Sequence, residues 1–105
     1  MNVDELGKLI DSESTMMDLS RELWYCHQLS QLSTEDVANH KVELLRVLEA
    51  LRDSHTQAFY EVTPRHFEHL KRFVEWLDKI LHLFSQQETR DELREIRDVF
   101  RLNID

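Results

Sequence analysis

The chain of 105 residues contains six histidines and one cysteine, residue types that can bind metals and transfer protons. Three of the histidines lie in the segment TPRHFEHLKRFVEWLDKILHLF, residues 63–84. At about 100° per residue on a helix, we expect His66 on the apolar face, His69 on its flank and His82 on the opposite side. These three side chains therefore cannot share one metal ion, and His82 is expected to be a solvated surface residue.

The same projection places His27 and His55 at the centres of the apolar stripes of two other helices. At about 1.5 Å per residue the two lie about 20 Å apart along the bundle, too far for one ion to join them. Cys26, His27 and His40 fall at similar depth around a turn at Ser33, but no fourth ligand is evident, and whether they bind a metal stays open. We predict no metal site and no cofactor.

Two short motifs resemble those of histidine-dependent helical bundles. HLK at 69–71 resembles the phosphotransfer four-helix bundles, although Lys71 follows His69 by two residues rather than three and no Gly comes after it. RELWYCH resembles the HEPN-type ribonuclease bundles in the spacing from Arg21 to His27, with Glu22 in place of their usual polar residue. Each match covers a few residues and assigns no family. A module of either type, using His69 or Arg21 with His27, is one alternative function.

Other catalytic arrangements are not evident in the sequence. The Ser, His and Asp residues are scattered, and a single Gly cannot form a glycine-rich phosphate-binding loop. We therefore predict a protein that is not an enzyme. The single cysteine excludes an intramolecular disulfide, and the N-terminal segment has acidic residues where a signal peptide needs basic ones. No apolar run approaches the roughly 20 residues that span a bilayer, so we expect a cytoplasmic protein without a membrane contact.

The composition favours a folded, acidic, all-α protein. The formal net charge is −8 and 41% of the residues are hydrophobic, which argues against direct nucleic-acid binding and against a disordered tail. An acidic mimic of nucleic acid is a further alternative, but Lys and Arg interrupt every acidic run after residue 36. One Gly and one Pro leave few breaks, while good helix formers dominate the chain.

The predicted fold is an antiparallel up-down helical bundle of four to five helices in a single domain, residues 1–105. The boundaries rest on N-caps at Thr15 and Ser33, on Pro64 at a first helical position, and on a capping box formed by Thr89 and Glu92. Short connections are expected to make the second, third and fourth helices neighbours, covered by the first and fifth. The predicted helices span about 3–11, 15–32, 34–62, 64–85 and 89–102.

Large apolar side chains beside the stripe centres indicate a protein partner, because such residues are enriched at interfaces. The expected anchors are Trp24, Tyr25, Tyr60, Trp76 and Leu83. The last helix adds a stripe of arginines that could orient an acidic surface, namely Arg90, Arg94, Arg97 and Arg101. Residues 1–36 hold eight acidic and two basic residues, so a second copy could supply that surface. We predict a protein-interaction module, such as an adaptor, inhibitor or regulator, that forms a homodimer.

Overall fold

The computed structural model describes residues 1–13, 17–57, 64–102 and 104, and it shows an all-α protein with no strand in that part of the chain. A short 3₁₀ turn, Leu81–Leu83, separates the last two helices. The predicted all-α class is therefore confirmed, whereas the predicted count of four to five helices and their antiparallel arrangement are not. The six helices in these ranges are α1 Val3–Ser12, α2 Leu19–Ser30, α3 Thr34–Asn39, α4 Lys41–Gln57, α5 Pro64–Ile80 and α6 Gln87–Arg101.

Side-chain caps fix where the first helices begin. The Asn2 side chain accepts the Glu5 N–H and the Glu5 carboxylate accepts the Asn2 N–H, which forms a complete capping box for α1. Asp18, not Thr15, caps α2 by accepting the Arg21 N–H, and Thr15 lies outside the described residues. Ser33 caps α3 as predicted, and Pro64 occupies the first position of α5 as predicted.

The single helix predicted for 34–62 is wrong, because the helix breaks at His40. His40 leaves helical geometry, with φ −134° and ψ 41°, and its N–H bonds to the Val37 carbonyl. The Asp36 carboxylate accepts the Val3 N–H at 3.0 Å and also faces the His40 ring at 3.1 Å. The two helices α3 and α4 thus meet where α1 begins. Residues 58–62 of the predicted helix lie outside the described ranges.

The start of the last helix also differs from the prediction. Thr89 and Glu92 do not form a capping box, because α6 begins two residues before Thr89. Gln86 is the N-cap and makes no side-chain capping bond. The apolar stripe was placed correctly, since Leu93, Ile96 and Phe100 are fully buried.

The helices that pack most extensively are mostly not consecutive in the chain. The main pairs are α2 with α5, α5 with α6, α1 with α4, and α4 with α6. The last helix therefore packs against both α4 and α5 through its buried residues Leu93, Ile96 and Phe100. Phe100 on α6 contacts the rings of His55 on α4 and Phe73 on α5, with centroid distances of 4.5 and 5.0 Å.

Pairs of contacting residues show which helices run in the same direction. Asp4 faces His40 and Asp11 pairs with Arg46, so α1 and α4 run in parallel. Gly7 lies between these contacts, and the Arg46 guanidinium donates to its carbonyl at 3.2 Å. The side chain of Glu43 fills the space where any Cβ at Gly7 would lie. None of the described helices combines the length and the apolar character needed to cross a membrane.

Candidate functional site: the α2–α5 groove

A surface groove runs between α2 and α5, and we call it the α2–α5 groove. Its upper pocket has a volume of about 340 Å³ and is lined by Ser20, Leu23, Trp24, His27, His66 and His69. Its lower pocket has a volume of about 190 Å³ and is lined by Ser30, Gln31, Arg72, Glu75, Trp76 and Lys79. The start of each helix lines the upper pocket and the end of each lines the lower one. The two helices therefore run in parallel, and the groove follows both.

The upper pocket brings together two histidines, His27 and His69, that were not predicted to lie near each other. The rings of His27 and His69 lie edge to face with centroids 5.9 Å apart, and both side chains are exposed. His66 lies one turn before His69 on α5, is half-buried and lines the same pocket. No carboxylate lines this pocket. Three imidazoles thus share one open surface.

The prediction that His27 points into the core is wrong, because α2 is rotated relative to the predicted stripe. The helix buries Glu22, Leu23, Tyr25, Cys26 and Leu29 instead. Glu22 is fully buried because its carboxylate contacts the Nδ1 atom of His55 on α4, which is itself 7% exposed. The inward position predicted for His55 is confirmed. This buried pair turns His27 to the surface and Tyr25 to the core.

The buried pair sits in an apolar part of the core. The second carboxylate oxygen of Glu22, Oε2, is buried and has no hydrogen-bond partner among the described residues. Cys26 lies one turn further along α2 and is fully buried. Burial raises the pKa of the Cys26 thiol well above its ordinary value, and the nearby Glu22 charge adds to that rise. This cysteine is a core residue, on the side of α2 away from His27.

Trp24 forms one wall of the upper pocket and is half-buried. The Arg21 guanidinium lies 4.4 Å from the Trp24 ring centroid, and its Nε donates to Glu13 at 2.7 Å. Tyr25 packs edge to face against Trp24 at 5.1 Å and donates its hydroxyl to Glu13 at 3.2 Å. Burial, ahead of the Glu13 charge, raises the pKa of Tyr25. Trp24 is therefore held in one orientation by its neighbours on α2.

The other predicted anchors lie in different places. Tyr25 is fully buried and Trp76 is 8% exposed, so both serve mainly as core residues of the chain. An edge of Trp76 still lines the lower pocket of the groove. Leu83 is half-buried in a shallow pocket beside Leu32 and Val37. Tyr60 lies outside the described residues.

The arginine stripe of α6 is engaged within the chain. Arg97 donates to Asp78 on α5 at 2.6 Å, and Arg101 lies 3.9 Å from the same carboxylate. Arg94 pairs with Asp91 at 3.2 Å. The Nε atom of Arg90 is buried with no hydrogen-bond partner among the described residues. The stripe therefore joins α6 to α5, which leaves it less free for a partner than the sequence analysis assumed.

Most acidic residues in 1–36 also have partners within the chain. They cap helices, as Glu5 and Asp18 do, or form ion pairs and buried contacts, as Glu13 and Glu22 do. The remaining contacts join Asp4 and Asp36 to His40 and Asp11 to Arg46. Carboxylates used in this way do not form a free array spaced like phosphates.

Arg72 and Lys79, in the lower pocket, are the residues that the sequence analysis missed. Both are exposed, and neither forms an ion pair with any residue in the ranges that the structure covers. Their spacing of seven residues placed them on one face of α5, but nothing in the sequence showed that α2 lies beside that face. The described residues contain no group of three or more His, Cys, Asp or Glu side chains arranged to hold a metal ion. Searches against protein-family models, curated proteins and solved structures gave no match to this chain.

Proposed function

We propose that this chain is a non-enzymatic protein-interaction module, acting as an adaptor, inhibitor or regulator, and that it contacts its partner through the α2–α5 groove. The observation that carries the proposal is the position of Trp24, half-buried at the wall of an open pocket of about 340 Å³. Trp and Arg are the residue types most enriched at interface hot spots. Here Arg21 stacks directly on that Trp ring.

The arrangement around Trp24 supports this proposal because it is already ordered. Glu13 holds Arg21, and Tyr25 packs against the edge of the Trp24 ring. Side chains fixed before binding lose less conformational entropy when a partner covers them, so more of the contact energy appears as affinity. The lower pocket continues the same surface past Trp76 and gives a partner a second contact.

Self-association as a homodimer is also part of the proposal. Val42 is 87% exposed on α4, beside an open pocket of about 310 Å³ that Leu45 and Phe84 help to line. Val42, Leu45 and Phe84 line this same pocket, and contiguous exposed apolar surface supports the proposal of self-association. We place the protein in the cytoplasm, on the ground that its only cysteine is a free thiol.

The experiment that tests the function is capture of a partner from the source cell on immobilised chain. Wild type and Trp24→Ala are compared, with Leu102→Ala as the matched control, since Leu102 is 79% exposed and lies outside the groove. Wild type and the control are expected to retain the same protein, and Trp24→Ala is expected to retain at least about tenfold less of it. Equal retention by Trp24→Ala, with its helical content unchanged, would show that the groove is not the contact surface.

A histidine-dependent module is the second candidate, and the contact between His27 and His69 favours it. Two imidazoles at 5.9 Å could act as base and acid on one phosphodiester. Arg21 does not support it, because Glu13 already neutralises that guanidinium. The test is cleavage of single-stranded RNA and phosphorylation of histidine by wild type, His27→Gln and His69→Gln. If wild type shows either activity and both variants lose it, the chain is a histidine-dependent module and the proposed binding function is wrong.

A further inference from the structure

We propose that two copies of this chain associate through the outer face of α4 around a two-fold axis near Leu45, with Lys41 of each copy beside Glu49 and Glu92 of the other. The inference rests on the self-association in the proposed function and names the surface that carries it. Three features of the described residues meet on this face. They are exposed apolar side chains, a cation without an ion pair, and two carboxyl groups that lie side by side.

The apolar part of this face lies at the start of α4. Val42 is 87% exposed, which makes it the most exposed large apolar side chain in the described part of the chain. It lines an open pocket of about 310 Å³ together with Leu45, which is half-buried, and Phe84, which is buried. Val42, Leu45 and Glu49 fall within about 60° of one another around the helix, so they share one outer face. A second copy that covers this face removes Val42 from water, which favours association.

Lys41 is the cation of this face, one position before Val42. Its Nζ atom lies 5.7 Å from the centroid of the Phe84 ring, and it forms no ion pair with any residue in the ranges that the structure describes. Arg46 and Arg97, by contrast, each bind a carboxylate at 2.6 Å. The ammonium group of Lys41 can therefore bind a carboxylate from outside the chain without breaking an ion pair.

Two carboxyl groups lie about two turns further along, where α4 packs against α6. Glu49 on α4 and Glu92 on α6 approach within hydrogen-bonding reach, so two acidic groups lie side by side. Burial, ahead of the contact with Glu49, raises the pKa of the Glu92 carboxyl. Among the described residues, Arg52 pairs with Glu92 at 3.8 Å and also contacts Asp53 at 3.2 Å. A further cation between Glu49 and Glu92 would relieve their repulsion.

A second copy of the chain is the partner that matches both ends of this face. A purely acidic partner would bind Lys41 but would be repelled by Glu49 and Glu92, and a purely basic partner would meet the reverse. In a two-fold interface the same patch meets itself, so a residue at one end contacts the residue at the other end in both directions. A patch with a cation at one end and carboxyl groups at the other is therefore complementary to itself.

The spacing along α4 fixes the position of the axis. Lys41 and Glu49 lie eight residues apart in the sequence, about 12 Å on the helix, and Leu45 is midway between them. An axis that crosses α4 at Leu45 places the Lys41 ammonium of each copy at the two carboxyl groups of the other. Val42 of each copy then lies about 4.5 Å along the helix from Leu45 of the other, so the two side chains can pack.

Charge reversal tests this arrangement, because two single variants should bind each other better than they bind themselves. A homodimer of Lys41→Glu brings acidic groups together at both ends of the interface, and a homodimer of Glu49→Lys brings two ammonium groups together at both ends. In the mixed dimer each reversed charge meets its opposite. Analytical ultracentrifugation with one variant fluorescein-labelled measures the dissociation constants. We expect each variant alone to dimerise at least about tenfold more weakly than wild type, and the equimolar mixture to recover to within about threefold of wild type.

The matched controls are Lys71→Glu and Glu68→Lys, which reverse exposed charges on α5. Each should change the dissociation constant of the dimer by less than about twofold. Trp24→Ala should also dimerise like wild type, because the α4 face and the α2–α5 groove share no lining residue. Far-UV circular dichroism of every variant ensures that a loss of association is not a loss of fold.

Three outcomes would overturn the inference. A wild-type dimer that both reversals leave unchanged would place self-association on another surface, and the proposed homodimer would stand. A mixture no tighter than either variant alone would show that Lys41 and Glu49 do not meet across the interface. A wild type that stays monomeric at high concentration would exclude both this inference and self-association, whereas the binding function of the groove would still be decided by Trp24-dependent capture.

Discussion

Replacing His55 by Leu is expected to destabilise the protein strongly, because it leaves the Glu22 carboxylate buried without its partner. Glu22 is fully buried and His55 is 7% exposed, and Oε2 of Glu22 has no hydrogen-bond partner among the described residues. Among the described residues, the contact with Nδ1 of His55 is therefore what offsets the free-energy cost of removing this carboxylate from water. Leu fills much of the same volume against Phe100, so lost packing contributes less than lost pairing.

The magnitude follows from this burial. Removing one member of this buried carboxyl–imidazole pair is expected to lower the free energy of unfolding by about 3 to 5 kcal/mol. A domain of this size has about 5 to 15 kcal/mol in total, so the variant loses a large share of its stability. Replacing both Glu22 and His55 by Leu removes the unpaired carboxyl group as well, and we expect the free energy of unfolding of that variant to lie within about 2 kcal/mol of wild type.

The assay is urea unfolding followed by far-UV circular dichroism and tryptophan fluorescence for wild type, Glu22→Leu, His55→Leu and the double variant. These four proteins form a double-mutant cycle, and its coupling free energy is expected to exceed about 2 kcal/mol. At a typical slope of about 1 to 2 kcal/mol per molar urea, this loss shifts the urea midpoint of His55→Leu by about 1.5 to 5 M. Additive effects of the two single changes would refute the pairing, and so would a loss below about 1 kcal/mol for His55→Leu.

Three further outcomes are expected. Cys26 is fully buried and its thiol pKa is raised, so it should react with a thiol reagent at least about 1000-fold more slowly in the native protein than in urea. Equally fast labelling of a protein with native helical content would contradict this burial. A hydrogen bond with the Asp36 carbonyl, assisted by the Asp4 and Asp36 carboxylates, raises the pKa of His40, so the protonated form is favoured on folding. The stabilisation contributed by His40 is thus present below about pH 6.5 and lost as the pH rises through the raised pKa. Wild type should therefore exceed His40→Gln in free energy of unfolding by more at pH 5.5 than at pH 8.5. The opposite order would be inconsistent with this contact. Val42→Asp should convert a dimer to a monomer in analytical ultracentrifugation while Leu102→Asp does not, and a monomeric wild type at high concentration would exclude self-association.

The helices themselves could be read from the sequence because their signals are local. Ser33 and Pro64 mark helix starts through hydrogen bonding and backbone geometry that depend on a few neighbouring residues. The break at His40 was missed, since it depends on Asp36 turning towards the N-terminus of α1, a contact between residues 33 positions apart. Predictions thus failed where a distant partner decides the local conformation.

The prediction of which face of α2 points into the core failed for the same kind of reason. An acidic residue within a helical stripe is ordinarily read as exposed, and Glu22 becomes an inward residue only because His55 meets it from α4. That one pair decides that Tyr25 is buried and that His27 is exposed. The α2–α5 groove could not be predicted for a further reason. Hydrophobic periodicity indicates the inner face of each helix, but it does not indicate which helices are neighbours. The α2–α5 contact joins elements that are not consecutive.

The packing of α6 against both α4 and α5 has a consequence for how the chain acquires its structure during synthesis. Leu93, Ile96 and Phe100 fill the space between α4 and α5, so the preceding helices cannot bury those faces until α6 has been made. Contacts that close a core late in the chain leave apolar surface open in the meantime, and such surface attracts chaperones and other nascent chains. During synthesis the α4 and α5 faces that receive Phe100 are therefore expected to stay exposed until α6 has been made.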